Sequence, residues 1–237
     1  MCQSSYVAMG SATPEQKVKH SKIVQELGDG KTNAWATRYT TNEDKKAHTE
    51  IVLSTGHPYE KVEAMKNAEG WQKELLSRSI ASSKNALANA WAFSCSNTTE
   101  QKARHRAIVL EKGGGYENEI LLALVTDPKQ KDEHSEIIAE EGHGLHNAYA
   151  IKHATDEWKK AHRQVILKSR DARYNYYNYL VMEIAEGSTT GKIKKEHTKK
   201  ASMFVKKNPL EILCSEPNYS QLDQYRAMEM TEGAYKF

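Results

Sequence analysis

The chain has 237 residues, with 34 basic and 31 acidic side chains and a formal net charge of +3. So small a surplus gives no general attraction to nucleic acid, and a hydrophobic content of 38% supplies enough core-forming residues to exclude wholesale disorder. The odd, scattered cysteines Cys2, Cys95 and Cys214 lack metal-ligand spacing and read as thiols of a reducing cytoplasm; no apolar run nears the ~20 residues that cross a bilayer, and the first residues lack the pattern of a secretory leader.

In chain order, the first predicted element opens at Thr13-Pro14-Glu15. Thr13 suits a helix cap, Pro14 the first helical position, and Glu15 the positive end of the helix dipole. The helix runs through His20 and Ile23-Val24 to Leu27, and Gly28 is expected to stop it in a left-handed conformation. A second, shorter helix carries Asn33-Ala34-Trp35-Ala36. The same grammar then returns. Starts recur at Thr41-Asn42-Glu43, Thr98-Thr99-Glu100, Thr126-Asp127-Pro128 and Thr155-Asp156-Glu157, and stops at Gly56, Gly113 and Gly142. The second-helix phrase recurs as Asn89-Ala90-Trp91-Ala92 and Asn147-Ala148-Tyr149-Ala150, and more loosely around Asn118 and Asn175.

The anchors His20, His48, Leu76, His105, His134 and His162 are spaced by 28, 28, 29, 29 and 28 residues. A fixed period of this length marks stacked supersecondary units. One pair of short helices cannot bury its apolar stripe alone, whereas adjacent pairs can bury it against each other. The third unit departs most, with Trp71 in place of a start carboxylate, Leu76 for His and Lys84 for Gly. The expectation is an all-α, right-handed α-solenoid of about six two-helix repeats over residues 1–180. Residues 181–237 are expected to form a basic segment and a C-terminal helical cap.

The phrase from Ala161 to Leu180 holds His162, Val165-Ile166-Leu167-Lys168-Ser169, Asp171 and Tyr174-Asn175-Tyr176-Tyr177. It resembles a helix-pair repeat of bacteriophage and bacterial proteins, in which an Ile-Leu-Lys-Ser-Gly-Asp turn precedes a tyrosine-rich helix; Arg170 stands here for the glycine. The layout is also similar to HEAT-like solenoids. The resemblance implies an α-solenoid in a phage or bacterial setting and brings no catalytic residues with it.

The recurrent His20, His48, His105, His134 and His162 are read as structural. Neighbours one repeat apart lie too far from each other to share a metal ion. Asn33, Asn89, Asn118, Asn147 and Asn175 are read as amides that satisfy loop backbone groups. Trp35 and Trp91, with Tyr149 and Tyr177, are read as core aromatics. Two glycine-lysine phrases, ending at Lys31 and Lys192, lack the spacing and the preceding strand of a phosphate loop. No nucleophile–base–acid set is identifiable, so no enzyme, cofactor or metal is expected.

The expected function is therefore a non-catalytic binding scaffold for another macromolecule, most of all a protein, in the cytoplasm (the host's, if a phage encodes it). The alternative is a nucleic-acid backbone binder. It would use Lys192, Lys194, Lys195, Lys199, Lys200, Lys206 and Lys207, together with basic helix starts such as Lys45-Lys46.

Overall fold

A computed structural model describes residues 2–168, and the basic segment and C-terminal cap expected over 181–237, with Asn175, lie outside the described residues. Among the described residues the chain is all-α, with twelve helices and no strand. They are α1 (Cys2–Met9), α2 (Pro14–Leu27), α3 (Gly30–Ala36), α4 (Asn42–Thr55), α5 (Pro58–Asn67), α6 (Gly70–Ser82), α7 (Ala86–Cys95), α8 (Thr99–Lys112), α9 (Gly115–Leu124), α10 (Pro128–Glu141), α11 (Gly144–Ala150) and α12 (Asp156–Lys168). The chain divides into two compact units, Met1–Leu124 and Val125–Phe237.

In the first unit the long helices α2, α4, α6 and α8 form one row and the short helices α1, α3, α5, α7 and α9 a second row. Each helix packs on its neighbours in sequence and on its counterpart one repeat away, the side-by-side packing of an α-solenoid. In the second unit α10 packs on α11 and α12, and α11 on α12. No helix among the described residues is long and apolar enough to cross a membrane.

The caps explain the starts. Thr13, Asp29, Asn85, Thr98 and Asp127 each accept a hydrogen bond from the backbone N–H three residues on, and Thr13 forms a full capping box with Gln16. Within each apolar pair of the long helices, the second member is fully buried: Val24, Val52, Ile80, Val109, Ile138 and Ile166 all have 0% exposure. The first member is half-buried in every repeat. Alanines flank the aromatic position of the short helices, and Ala34, Ala36, Ala90, Ala92, Ala148 and Ala150 are buried. Their small side chains let neighbouring helices approach closely while the aromatic ring projects between them.

The glycine stops differ from expectation. Gly28, Gly56 and Gly113 are extended, at φ −87°, −76° and −86°, and only Gly142 is left-handed, at φ 73°. What the three extended positions require is space rather than a positive φ. A Cβ would lie 2.4 Å from Val24 O at Gly28, 2.5 Å from Val52 O at Gly56 and 2.7 Å from Val109 O at Gly113. Each glycine N–H donates to that same carbonyl at 2.8 Å, closing the helix. Two helices carry no repeat phrase. One is α1, which packs on α2 and α3 as the other short helices pack on their neighbours; the other is α5, whose fourth residue, equivalent to Asn33, is Lys61.

Candidate functional site

The recurrent histidines and asparagines meet across repeats. Asn33 sits four residues after its cap Asp29, and His48 seven residues after its cap Thr41. These registers place the amide beside the imidazole of the following repeat, with His48 Nδ1 2.6 Å from Asn33 Oδ1. Asn33 Nδ2 donates to Val24 O, Gly28 O and Asp29 O at 3.2, 3.1 and 2.9 Å. Carbonyls only accept, so the amide nitrogen must face them and its oxygen must face the histidine. Nδ1 therefore carries the imidazole proton. Nε2, left as an acceptor, lies 2.9 Å from Ser21 Oγ.

The arrangement recurs. His105 Nδ1 is 2.7 Å from Asn89 Oδ1, and its Nε2 is 2.9 Å from Ser77 Oγ. Asn89 Nδ2 donates to Ile80 O and Asn85 O. Arg104 Nη1 donates to Ser77 Oγ at 2.8 Å, so the serine proton has only His105 Nε2 to receive it. In the second unit His162 Nδ1 is 2.7 Å from Asn147 Oδ1, while His162 Nε2 and Ser135 Oγ are both buried without a hydrogen-bond partner. Burial holds the His48, His105 and His162 imidazoles neutral, each with a pKa lowered to about 4.

Two positions deviate in a consistent way. His20 has the helical place of His48, but the residue fifteen before it is Ser5 rather than asparagine, and its Nδ1 has no partner. In the third unit both members change together: Lys61 replaces the amide and the fully buried Leu76 replaces the imidazole. Lys61 Nζ donates instead to Ser79 Oγ at 2.9 Å. Asn118 Nδ2 donates to Gly113 O and Gly114 O, as its counterparts donate to theirs. His134 is fully buried.

Serine, histidine and asparagine in this order have the connectivity of a nucleophile, a base and an orienting group. Ser21, His48 and Asn33 all have 0% exposure, as do Ser77, His105 and Asn89. A substrate carbonyl cannot reach a serine so enclosed. These groups act as struts between repeats. Among the described residues no three metal-ligating side chains converge.

Around the struts, ionic contacts tie the long helices together. Glu74 accepts from Arg78 Nε at 2.7 Å, Arg104 Nη2 at 2.9 Å and Gln101 Nε2 at 3.1 Å, and these donors hold its carboxyl down to about 2. Lys73, only 7% exposed, donates to Cys95 O and Asn97 Oδ1 and so satisfies the C-terminal end of α7.

Accessible aromatic chemistry lies on the short helices and at the start of α6. Trp35 of α3 and Trp91 of α7 hold equivalent places, six residues after their caps. Both are half-buried, and Trp91, like Tyr59, packs against the hydrophobic core of the first unit. Tyr59 of α5 bridges this part of the face, its ring 5.4 Å from that of Trp91 and 5.4 Å from that of His57, which stacks on it at 26°. Between α3 and α5 an open groove of about 330 Å³ is lined by Lys31, Ala34, Trp35, His57, Tyr59, Glu60 and Glu63. Lys31 Nζ sits 4.8 Å from the centre of the Trp35 ring. A second open groove, of about 480 Å³, lies at the start of α6 and is lined by residues that include Glu43, Lys45, Lys46, Glu69 and the half-exposed Trp71.

The sequence reading missed the first groove because two of its aromatic or imidazole residues, His57 and Tyr59, belong to the helix without the repeat phrase. The available signal was His57-Pro58 directly after Gly56, a cap and first helical position in the right register. The lysines from Lys192 to Lys207 are outside the described residues. No protein-family model, curated protein or solved structure matches the chain.

Proposed function

We propose that this protein is a non-catalytic scaffold that binds another protein through the face formed by its short helices. The reading rests on one observation: Trp35 and Tyr59, from successive short helices, are half-buried and line an open groove, with Trp91 of the next short helix packed against Tyr59. Tryptophan and tyrosine are the residues that most often anchor protein interfaces, and a stacked helical array holds them at fixed spacing. The likeness of the Ala161–Leu180 phrase to phage and bacterial helix-pair repeats supports a cytoplasmic setting in which the partner is a host factor. The HEAT-like layout is part of the same proposal.

Capture from the native cell tests this with paired variants. Wild-type protein and Trp71→Ala, altered at the other groove, should enrich the same partner. Trp35→Ala, shown by circular dichroism to retain its helices, should lose it. Retention by Trp35→Ala would remove the reading.

A nucleic-acid backbone binder is the second reading, favoured by Trp71 with Lys46 Nζ 6.0 Å from its ring and Lys45 on the same rim. Glu43 and Glu69 line that groove too and repel phosphate, which is why the protein reading stands first. Binding of a single-stranded oligonucleotide that weakens steeply with salt would support this alternative, and a flat salt response would eliminate it.

A further inference from the structure

We infer that the groove between α3 and α5 recognises one basic side chain, an arginine, presented by the partner protein; this rests on the scaffold reading above. The groove joins the two chemistries that hold a cation outside water: aromatic faces, from Trp35, Tyr59 and the His57 ring, and carboxylates, from Glu60 and Glu63. Its volume of about 330 Å³ lies at the bottom of the range for small-molecule sites and suits a single long side chain.

A cation already occupies part of this space. Lys31 stands four residues before Trp35 on α3, and its ammonium rests over the indole ring. The ring face is thus electrostatically ready for a positive charge, and in the unbound protein the chain's own lysine takes it. The carboxylates are only lightly committed. Glu63 pairs with Lys66 at 2.6 Å in an i,i+3 contact whose lysine is 53% exposed, a type of pair that contributes little and is readily exchanged. Glu60 uses Oε2 to accept from the His57 N–H at 2.7 Å and keeps its second oxygen for another donor. Glycine at position 30 lets α3 approach this corner, since a Cβ there would lie 2.6 Å from both Gly56 Cα and Glu60 Oε2. Arginine fits better than lysine, because its planar guanidinium stacks on an indole while donating in parallel to a carboxylate. Its arrival displaces Lys31 from the ring.

This gives Lys31 and Glu63 opposite signs, which separates a cation site from a site for acidic segments. The test tracks the Trp35 indole N–H resonance of the full chain during titration with acetyl-Ala-Arg-Ala-amide. Its citrulline isostere serves as neutral control and its glutamate counterpart as the opposite charge. The arginine peptide should bind saturably and the other two should not. Lys31→Gln should tighten binding about fivefold by removing the internal competitor, and Glu63→Gln should weaken it by a similar factor. Equal binding of the citrulline peptide, binding of the glutamate peptide that Lys31→Gln abolishes, or no response to any peptide would each overturn the inference. If partner capture requires Trp35 but no peptide shifts its resonance, the scaffold reading survives and the arginine site does not. If the arginine peptide binds as described while capture fails, the reverse holds.

Discussion

At the residue scale, the most consequential group is the neutral imidazole held by an asparagine of the preceding repeat and, at His48 and His105, by a serine of that same repeat. His48, His105 and His162 have folded pKa values of about 4, below the ordinary 6.5. Unfolded chains therefore take up protons first as the pH falls. The contribution of these groups is complete above about pH 6.5 and is lost on going down towards pH 4, on the order of 3 kcal/mol for each fully buried ring. The urea midpoint should fall steeply across that window. Imidazole ¹⁵N signals of the three residues should keep the neutral, Nδ1-protonated pattern until about pH 4; titration near 6.5 would contradict the strut geometry. The third unit offers a reciprocal test. Leu76→His alone should destabilise by about 1–3 kcal/mol, because Nδ1 would face Lys61 and find no acceptor. Adding Lys61→Asn should recover about 1–2 kcal/mol of this, measured as a double-mutant coupling in urea. The histidine and asparagine rows were both legible in the sequence as rows. Their pairing was not, because it runs across a turn at 15 or 16 residues and involves a serine 27 or 28 residues away, separations that no single-helix periodicity displays.

At the scale of the element, each helix start was legible wherever a cap and a carboxylate stood together, as at Thr13 and Thr98. Helix α5 was not legible because the strut asparagine and its flanking alanines, which mark the other short helices, are absent there. The helix ends were misread for a physical reason. Glycine serves both a positive φ and a close approach, and sequence does not separate the two uses. Lys84 shows the cost of the first. It occupies the position of Gly142 in the repeat and has φ 53°, a conformation that an L side chain adopts with strain. Lys84→Gly should therefore stabilise the protein by about 0.5–1 kcal/mol in thermal unfolding. Gly113→Ala should destabilise it despite the negative φ, because the added methyl lies 2.7 Å from Val109 O and 3.0 Å from Glu117 Cβ. A stabilising Gly113→Ala would show that backbone conformation, and not space, governs that site.

At the scale of the whole molecule, packing in the first unit runs between neighbours in sequence and counterparts in adjacent repeats, so its stability is local and nearly additive. Deleting residues 57–84 puts that additivity to the test. The deletion removes α5 and α6 and joins the Gly56 stop to the Asn85 cap, the same kind of seam that Gly28 and Asp29 make. The shortened chain should remain helical and melt cooperatively, while losing His57, Tyr59, Glu60 and Glu63 and with them the first groove. A chain that fails to fold would show that the array is not modular. The periodicity of the anchors made this architecture legible from the start, whereas the groove depended on side chains whose neighbours come from other repeats. The same excised block carries both Lys61 and Leu76, so the asparagine–histidine pairs on either side stay whole, while Ser77 leaves with it and Thr49 moves into its register before His105. A gene encoding such a protein can slip during replication by one block of codons and still specify matched partners at the new junction. Its length is then free to drift over generations, provided that the mismatched pair is inherited or discarded as one.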